Sequence, residues 1–158
     1  MILTRATEMT KGPFEKHIET MTNDYGVIHV VDLLQDLRER EIRLTKEYYK
    51  LYLESPWKES GQLRFLHFDF HRFCKGDQFS ELKVLMTQLS DSIDEFGWLT
   101  VDLKNEEIVS RQKGVFRVNC LDSIDRTNVA ISQLSMTLFQ TLLEQNEFKI
   151  DHLLGDNV

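Results

Sequence analysis

The residues with the clearest chemical potential in this chain are a cysteine and an arginine separated by five residues. Cys120 and Arg126 lie between an apolar run and a long apolar segment that is predicted to be a helix. The backbone N–H groups at the start of such a helix, and its dipole, favour a bound phosphate. The positive end of the helix dipole also favours the thiolate form of Cys120 over the thiol, and the thiolate can attack phosphorus. Arg126 can donate two parallel hydrogen bonds to phosphoryl oxygens, and lysine cannot.

The spacing alone is common, but the string around it is more specific. Residues 117–128 read Arg-Val-Asn-Cys-Leu-Asp-Ser-Ile-Asp-Arg-Thr-Asn. This string resembles the active-site motif of the Sac-domain phosphoinositide phosphatases, which is Arg-x-Asn-Cys-x-Asp-Cys-Leu-Asp-Arg-Thr-Asn. The matching residues are Arg117, Asn119, Cys120, Asp122, Asp125, Arg126, Thr127 and Asn128. Ser123 replaces the second cysteine of the motif and Ile124 replaces its leucine, and neither position is the expected nucleophile or phosphate clamp.

Other segments extend the resemblance over most of the chain. Residues 14–17, 25–26, 68–71 and 110–112 are similar to Sac-domain segments and occur in the family's order. The resemblance implies a hydrolase whose substrate is a phosphatidylinositol phosphate. It also implies a cytoplasmic protein that is peripheral to the cytosolic face of membranes and serves lipid metabolism and membrane trafficking. The inositol ring position that is cleaved does not follow from the sequence.

The motif implies a role for each of its residues, within an active-site loop at 119–127. Cys120 attacks the phosphorus, Arg126 and the loop N–H groups hold the phosphoryl group, and water then cleaves the phosphocysteine. Asp122 is the preferred donor of a proton to the leaving inositol oxygen, and Asp125 either takes that role or orients Arg126. The residues expected to bind phosphate or to support the loop are Arg117, Asn119, Leu121, Ser123, Ile124, Asp125, Thr127 and Asn128.

Each of these residue types also has a purely structural interpretation. Cys120 can be a buried structural cysteine, with the two neighbouring aspartates in turns. Arg117 can be an edge-strand arginine, and Thr127 can satisfy backbone N–H groups where a helix starts. A further alternative is a catalytically weak or inactive phosphoinositide-binding fragment, which keeps the loop but lacks the complete site.

A different chemistry is offered by His67, Asp69 and His71. These residues alternate along one predicted strand, so they are expected to share one face. Such a triad is plausible in a metal-dependent phosphoesterase, although no fourth acidic ligand is evident. Cysteine chemistry requires neither a metal nor another cofactor, so we predict none. In that case Asp69 and His71 are expected to support the loop.

Composition and charge narrow the classes of function. The 158 residues are 41% hydrophobic, which is typical of one globular domain, and the net charge of −7 gives no support for nucleic-acid binding. Residues 111–126 nevertheless carry four basic residues against two aspartates. No stretch is long enough to span a bilayer, and the N-terminus lacks the apolar core of a signal peptide. Having only two cysteines favours a reducing compartment.

The predicted fold is an α/β domain with a largely parallel or mixed sheet and flanking helices. A helix is predicted to begin at Pro13, and others are predicted within 34–53, at 79–96 before a Gly97 cap, and at 128–143. Strands are predicted at 27–31, 63–70 and 115–118, and a hairpin pairs 98–103 with 108–111. In 34–53 the stripe with helical spacing is Leu37, Glu41, Leu44, Tyr48 and Leu51. Because 128–143 contains no charged residue, that helix is expected to be buried on most sides.

The resemblance also implies that residues 1–158 form a single, partial Sac-type catalytic region, namely the C-terminal catalytic part of the domain. Family members carry a further subdomain before the region that matches residue 14 onward, and they continue past the helix that follows the motif. We therefore expect marginal stability of the isolated chain, with self-association or dependence on a partner chain or on the missing Sac subdomain.

Overall fold

The computed structural model describes residues 7–75, 79–122 and 124–145. The first half contains α1 (Thr7–Tyr25), β1 (Val27–Asp32), α2 (Glu39–Leu53), α3 (Pro56–Glu59), β2 (Leu63–His67) and α4 (Phe70–Phe73). A 3-10 turn at Phe79–Glu81 leads into α5 (Leu82–Phe96). The remaining elements are β3 (Thr100–Asp102), β4 (Glu107–Ser110), β5 (Gly114–Asn119) and α6 (Asp125–Gln145).

The central sheet has three parallel strands in the order β2-β1-β5. In the register, Ile28 of β1 lies beside Leu63 on one side and beside Val115 on the other. Parallel neighbours require a long connection, which is why helices separate these strands along the chain. The predicted α/β class with a largely parallel sheet is therefore confirmed, and the hairpin predicted from 98–111 is present as β3 and β4.

Two apolar cores cover the two faces of the sheet, because successive strand side chains alternate in direction. On one face, Ile28 and Val30 of β1 pack with Phe14, Ile18 and Leu51 from α1 and α2. The opposite face is covered by α5 and α6, in a cluster that includes Val31, Leu33, Leu85, Leu89, Ala130 and Leu134. Asp32, the last residue of β1, is thus buried between two packed layers.

Three predicted boundaries are wrong. Pro13 lies inside α1 (Thr7–Tyr25). A proline at this position leaves the Met9 carbonyl without an N–H donor. Because Met9 is exposed, water can bind that carbonyl instead. Helix α2 begins only at Glu39, because the preceding residues form a loop that buries Leu33 and Leu34. Strand β2 ends at His67, since Asp69 starts a short helix.

The prediction that the helix at 128–143 is buried on most sides is also wrong. Ala130, Leu134 and Leu143 of α6 are buried, whereas Ile131, Met136 and Phe139 are 44%, 55% and 50% exposed. Helix α5 and strand β5 cover one side of α6, and nothing in the described part of the chain buries the opposite side. None of the described helices is long and apolar enough to cross a bilayer.

We expect Gly114→Ala to destabilise the fold by about 1–3 kcal/mol, which is typical of overpacking. A Cβ at this first residue of β5 would lie 2.5 Å from the Phe96 ring and 2.6 Å from the Val27 carbonyl oxygen. Urea unfolding of Gly114→Ala and of the control Gly12→Ala measures the effect. Gly12 is in a helix with nothing within 4 Å of its added Cβ, so the control is not expected to lose stability. Equal unfolding midpoints for both variants would contradict the packing of β5 against α5.

Candidate active site

The candidate site lies where β5 ends, at the carboxyl edge of the sheet. Asn119 is the last residue of β5 and pairs with Asp32, the last residue of β1. The N–H of Leu33 donates to the Asn119 carbonyl oxygen at 2.9 Å, so the chains leaving the two strands start side by side. The carboxyl edge is where open α/β sheets bind ligands. The predicted loop at 119–127 therefore starts at the end of the strand that favours a site, and its last three residues already belong to the first turn of α6.

Cys120 is a partly exposed free thiol immediately after β5. Its Sγ donates to Oδ1 of Asp122 at 3.6 Å. The same carboxylate oxygen accepts from the N–H of Ile124 at 3.4 Å. The structure therefore brings together the expected nucleophile and the expected proton donor, and both are open to solvent.

Arg126 is in the first turn of α6 and is only 9% exposed. Its Nη1 donates to the Leu33 carbonyl oxygen at 3.3 Å and to Oε2 of Glu41 at 2.8 Å. Burial by itself would lower the pKa of Arg126, but the Glu41 hydrogen bond and the negative charges of Cys120 and Asp122 raise it. The guanidinium is thus hydrogen-bonded to α2 and interacts electrostatically with the residues of the loop.

Glu41 is a site residue that the sequence analysis did not select. It is fully buried, and besides Arg126 it accepts from the backbone N–H of Gln35 at 3.2 Å and from Gln35 Nε2 at 2.8 Å. Burial by itself would raise the pKa of Glu41, but the hydrogen bonds from Arg126 and Gln35 lower it. The available signal was a lone carboxylate on the otherwise apolar stripe of α2.

Arg117 lies on the face of β5 that packs against α1 and α2. Its Nε donates to His17 Nε2 at 3.1 Å, and its guanidinium carbon lies 5.6 Å from the centre of the Tyr48 ring. Segment 14–17, part of the sequence resemblance, is therefore in contact with the strand that leads to Cys120. Among the described contacts, those of Arg117 are with the supporting layer and not with the loop itself.

The other predicted loop residues have different environments. Leu121 is half-buried, whereas Ile124, Asp125 and Asn128 are exposed. The backbone N–H of Asn128 donates to the Ile124 carbonyl oxygen at 3.0 Å, in the first turn of α6. Thr127 Oγ1 is buried, without a hydrogen-bond partner among the described residues. Ser123 lies outside the described residues.

The expected common face for His67, Asp69 and His71 is wrong, because β2 ends at His67. Asp69 caps α4, where its Oδ1 accepts from the Arg72 N–H at 3.0 Å, and His71 is exposed on that helix. Oδ2 of Asp69 accepts from the Asp36 N–H at 3.0 Å, in the loop after β1. Within residues 7–75, 79–122 and 124–145, no three potential ligand side chains are grouped to hold a metal ion.

His67 instead connects β2 to the end of β1. Its Nδ1 lies 3.1 Å from Oδ2 of the buried Asp32, and its Nε2 lies 3.1 Å from Oδ1 of Asp36. Thr45 Oγ1 donates to the same Asp32 oxygen at 2.6 Å. The hydrogen bond to Asp32, with the charges of Asp32 and Asp36, raises the pKa of His67. The loop that leads to Glu41 is therefore held partly by His67, whose protonated form is favoured by these two carboxylates.

We expect His67→Gln to lose more stability at pH 6 than at pH 9. Folding raises the pKa of His67, so the protonated histidine stabilises the folded state. This stabilisation is complete below the ordinary histidine pKa of 6.5 and is lost as the pH rises through the higher pKa of the folded state. Urea unfolding at both pH values measures the gap between wild type and variant, and the exposed His71→Gln serves as control. A gap that widened towards pH 9 would contradict the pairing of His67 with Asp32 and Asp36.

An open cavity of about 450 Å³ borders the loop at Leu121. Its other lining residues are 38–41, at the start of α2. The exposed Arg38 and Arg40 are balanced in this lining by Glu39 and by the buried Glu41, whose Oε1 lies 3.8 Å from Arg38 Nη1. The overall negative charge of the chain is therefore not repeated around this cavity.

Comparison with known proteins identifies the family. A family model described as the SacI homology domain matches residues 1–75. A polyphosphatidylinositol phosphatase of Saccharomyces cerevisiae is 37% identical over 143 residues, which are 90% of this chain and 13% of that protein. A phosphoinositide phosphatase of Arabidopsis thaliana is 37% identical over 125 residues, covering 79% of this chain and 20% of that protein.

A phosphatidylinositide phosphatase of Homo sapiens shows the same relation, with 30% identity over 143 residues, 90% of this chain and 12% of that protein. The chain thus spans between about an eighth and a fifth of the length of these relatives. Similarity across most of the chain to three phosphatases of this type agrees with the match to the family model. The chain belongs to the SacI homology domain family, whose members include phosphoinositide phosphatases.

Proposed function

We propose that this chain is part of a phosphoinositide phosphatase and that Cys120 is its nucleophile. The observation that carries the proposal is the convergence of three side chains at the carboxyl end of β5. The Cys120 thiol contacts Asp122, and the buried Arg126 interacts electrostatically with both. Residues 1–158 would then be a partial Sac-type catalytic region with its active-site loop at 119–127.

The reaction proceeds in two steps. In the first, the Cys120 thiolate forms a sulfur–phosphorus bond as the bond to the inositol oxygen breaks, and Asp122 gives that oxygen its proton. In the second, water attacks the phosphocysteine, passes a proton to the Asp122 carboxylate and releases inorganic phosphate and the thiolate. Arg126 and the loop N–H groups stabilise the charge on the transferring phosphoryl oxygens in both steps.

The substrate class is supported by the relatives and by two exposed arginines. The relatives' names state that they act on phosphoinositides. In the cavity beside Leu121, the exposed Arg38 and Arg40 can donate hydrogen bonds to the additional phosphates of an inositol headgroup, although Glu39 and Glu41 balance their charge in the lining. The protein would meet this lipid at a membrane surface, from the cytosolic side.

A phosphoinositide-binding fragment with weak or no turnover is the second candidate. It is favoured by the exposed apolar side of α6, formed by Ile131, Met136 and Phe139. Such a surface is typical of a contact with a partner chain or with another subdomain. This candidate predicts vesicle binding without release of phosphate.

We expect alkylation, and not chelation, to abolish phosphate release from a panel of phosphatidylinositol phosphates. Iodoacetamide reacts with an exposed thiolate, and inorganic phosphate in the loop should slow that reaction. The measurement is phosphate release with EDTA, and with iodoacetamide in the presence and absence of phosphate.

The background for this experiment is Cys74→Ala, which removes the other, buried thiol. Loss of activity then reports on Cys120 alone. If EDTA abolished activity and zinc or magnesium restored it, the cysteine mechanism would be wrong and the metal-dependent alternative would gain support.

A further inference from the structure

Glu41 occupies a position at which an apolar residue would be expected. The stripe of α2 that faces the sheet also carries Leu51 and Tyr48, both of which join the apolar cluster there. A carboxylate buried without partners would be strongly disfavoured, so a buried glutamate requires donors around it. Both oxygens of Glu41 have such donors: Oε1 accepts from Gln35 Nε2, and Oε2 accepts from Gln35 N and Arg126 Nη1.

The same contacts restrict the guanidinium of Arg126. Both of its hydrogen bonds within the described residues use Nη1, one to Glu41 and one to the Leu33 carbonyl oxygen. A planar guanidinium that is held at one nitrogen by two acceptors has a defined orientation. Its Nε and Nη2 groups then form the pair of donors that can bind two phosphoryl oxygens in parallel.

We propose that Glu41 is a positioning residue for phosphoryl transfer, which holds Arg126 through Nη1 so that Nε and Nη2 face a phosphoryl group bound at Cys120. The inference rests on the proposed function, because it assumes that Cys120 and Arg126 bind the phosphoryl group. Gln35 holds Glu41 in turn, from the loop after β1. Glu41 is fully buried and acts on the phosphoryl group through Arg126, without contact with the reacting atoms.

Glu41→Gln tests the orientation with little change of shape. The carbonyl oxygen of the introduced amide can still accept from Arg126, and rotation of the Gln35 amide can restore the second contact, so only the charge is lost. Glu41→Ala removes both the charge and the acceptor. We expect kcat to fall about tenfold in Glu41→Gln and about a hundredfold in Glu41→Ala, with KM within about threefold of wild type. The control is Glu54→Gln, which makes the same change at the exposed end of α2 and should leave kcat unchanged.

A second measurement does not depend on turnover. In the Cys74→Ala background, inorganic phosphate protects Cys120 from iodoacetamide, and we expect the half-protecting phosphate concentration to rise about fivefold or more in Glu41→Gln. In an Arg126→Lys background, Glu41→Gln should cause no further rise, because Glu41 acts through Arg126. Full additivity of the two substitutions would overturn the proposal.

Thermal unfolding separates positioning from a purely structural role. If Glu41 only joins α2 to α6, then Glu41→Gln lowers the unfolding midpoint while kcat and the half-protecting phosphate concentration stay at wild-type values, and the proposal is wrong. Cys120→Ser tests the proposed function separately. An inactive Cys120→Ser beside a Glu41→Gln with wild-type kinetics rejects only the role of Glu41, whereas an active Cys120→Ser rejects the proposed function.

Discussion

Cys120→Ser is expected to abolish phosphate release and to leave binding to phosphoinositide vesicles close to wild type. A serine hydroxyl is almost entirely un-ionised at neutral pH, so it lacks the thiolate's ability to attack phosphorus. The loop N–H groups and Arg126 remain, and they supply the binding of the phosphate. Cys120 is partly exposed at the end of β5, so the exchange of sulfur for oxygen should not disturb packing.

Two measurements check this expectation. Phosphate release should fall to background, and co-sedimentation with vesicles that contain a phosphatidylinositol phosphate should change less than about threefold. Cys74→Ser is the matched control, since it makes the same exchange at the other cysteine, which is buried in the α5–α6 core. Hydrolysis at the wild-type rate in Cys120→Ser would show that another group is the nucleophile.

The second large effect is expected from Arg126→Lys. A lysine ammonium is a point charge, so it cannot donate two parallel hydrogen bonds to a phosphoryl group. It also cannot satisfy Glu41 and Leu33 from one nitrogen while presenting two others to a substrate. We expect kcat to fall by about a hundredfold or more, comparable to removing a transition-state donor.

Steady-state kinetics and urea unfolding should be measured together for Arg126→Lys, because the substitution also changes a buried ion pair. Arg43→Lys, at an exposed position of α2 that does not line the cavity, gives the effect of the same exchange outside the proposed site. If Arg126→Lys kept kcat within threefold of wild type, Arg126 would not be the phosphate clamp.

Local pattern was sufficient for much of the fold. The alternation of strands and helices predicted an α/β domain with a largely parallel sheet, and Cys120 follows the carboxyl end of β5, at the edge where open α/β sheets bind ligands. The helical stripe of 79–96 predicted α5 and its Gly97 end, where the backbone has a φ of 57°. These features depend on periodicity and on residue type within one segment, which is information that the sequence contains directly.

The structure corrected predictions in which a local rule was extended too far. The alternation of residue types predicted that His67 and Asp69 lie on the same face of one strand. In the structure the strand ends at His67, and Asp69 is the N-cap of α4. An uncharged stretch predicted burial of α6 on most sides, but burial depends on the neighbours that are present and not on the helix's own composition. Pro13 is a helix-start signal, yet an exposed helix can continue past it.

By itself, the sequence determined the family and the two residues on which the chemistry is expected to depend, because the motif places Cys120 and Arg126 within a few residues of each other. Only the tertiary structure revealed Glu41, since it is 85 positions from Arg126 along the chain and meets it only when α2 and α6 pack at the same edge of the sheet. The pairing of His67 with Asp32 and Asp36 has the same origin. A buried charge is stable only beside its partner, and the folded chain decides which distant residue that partner is.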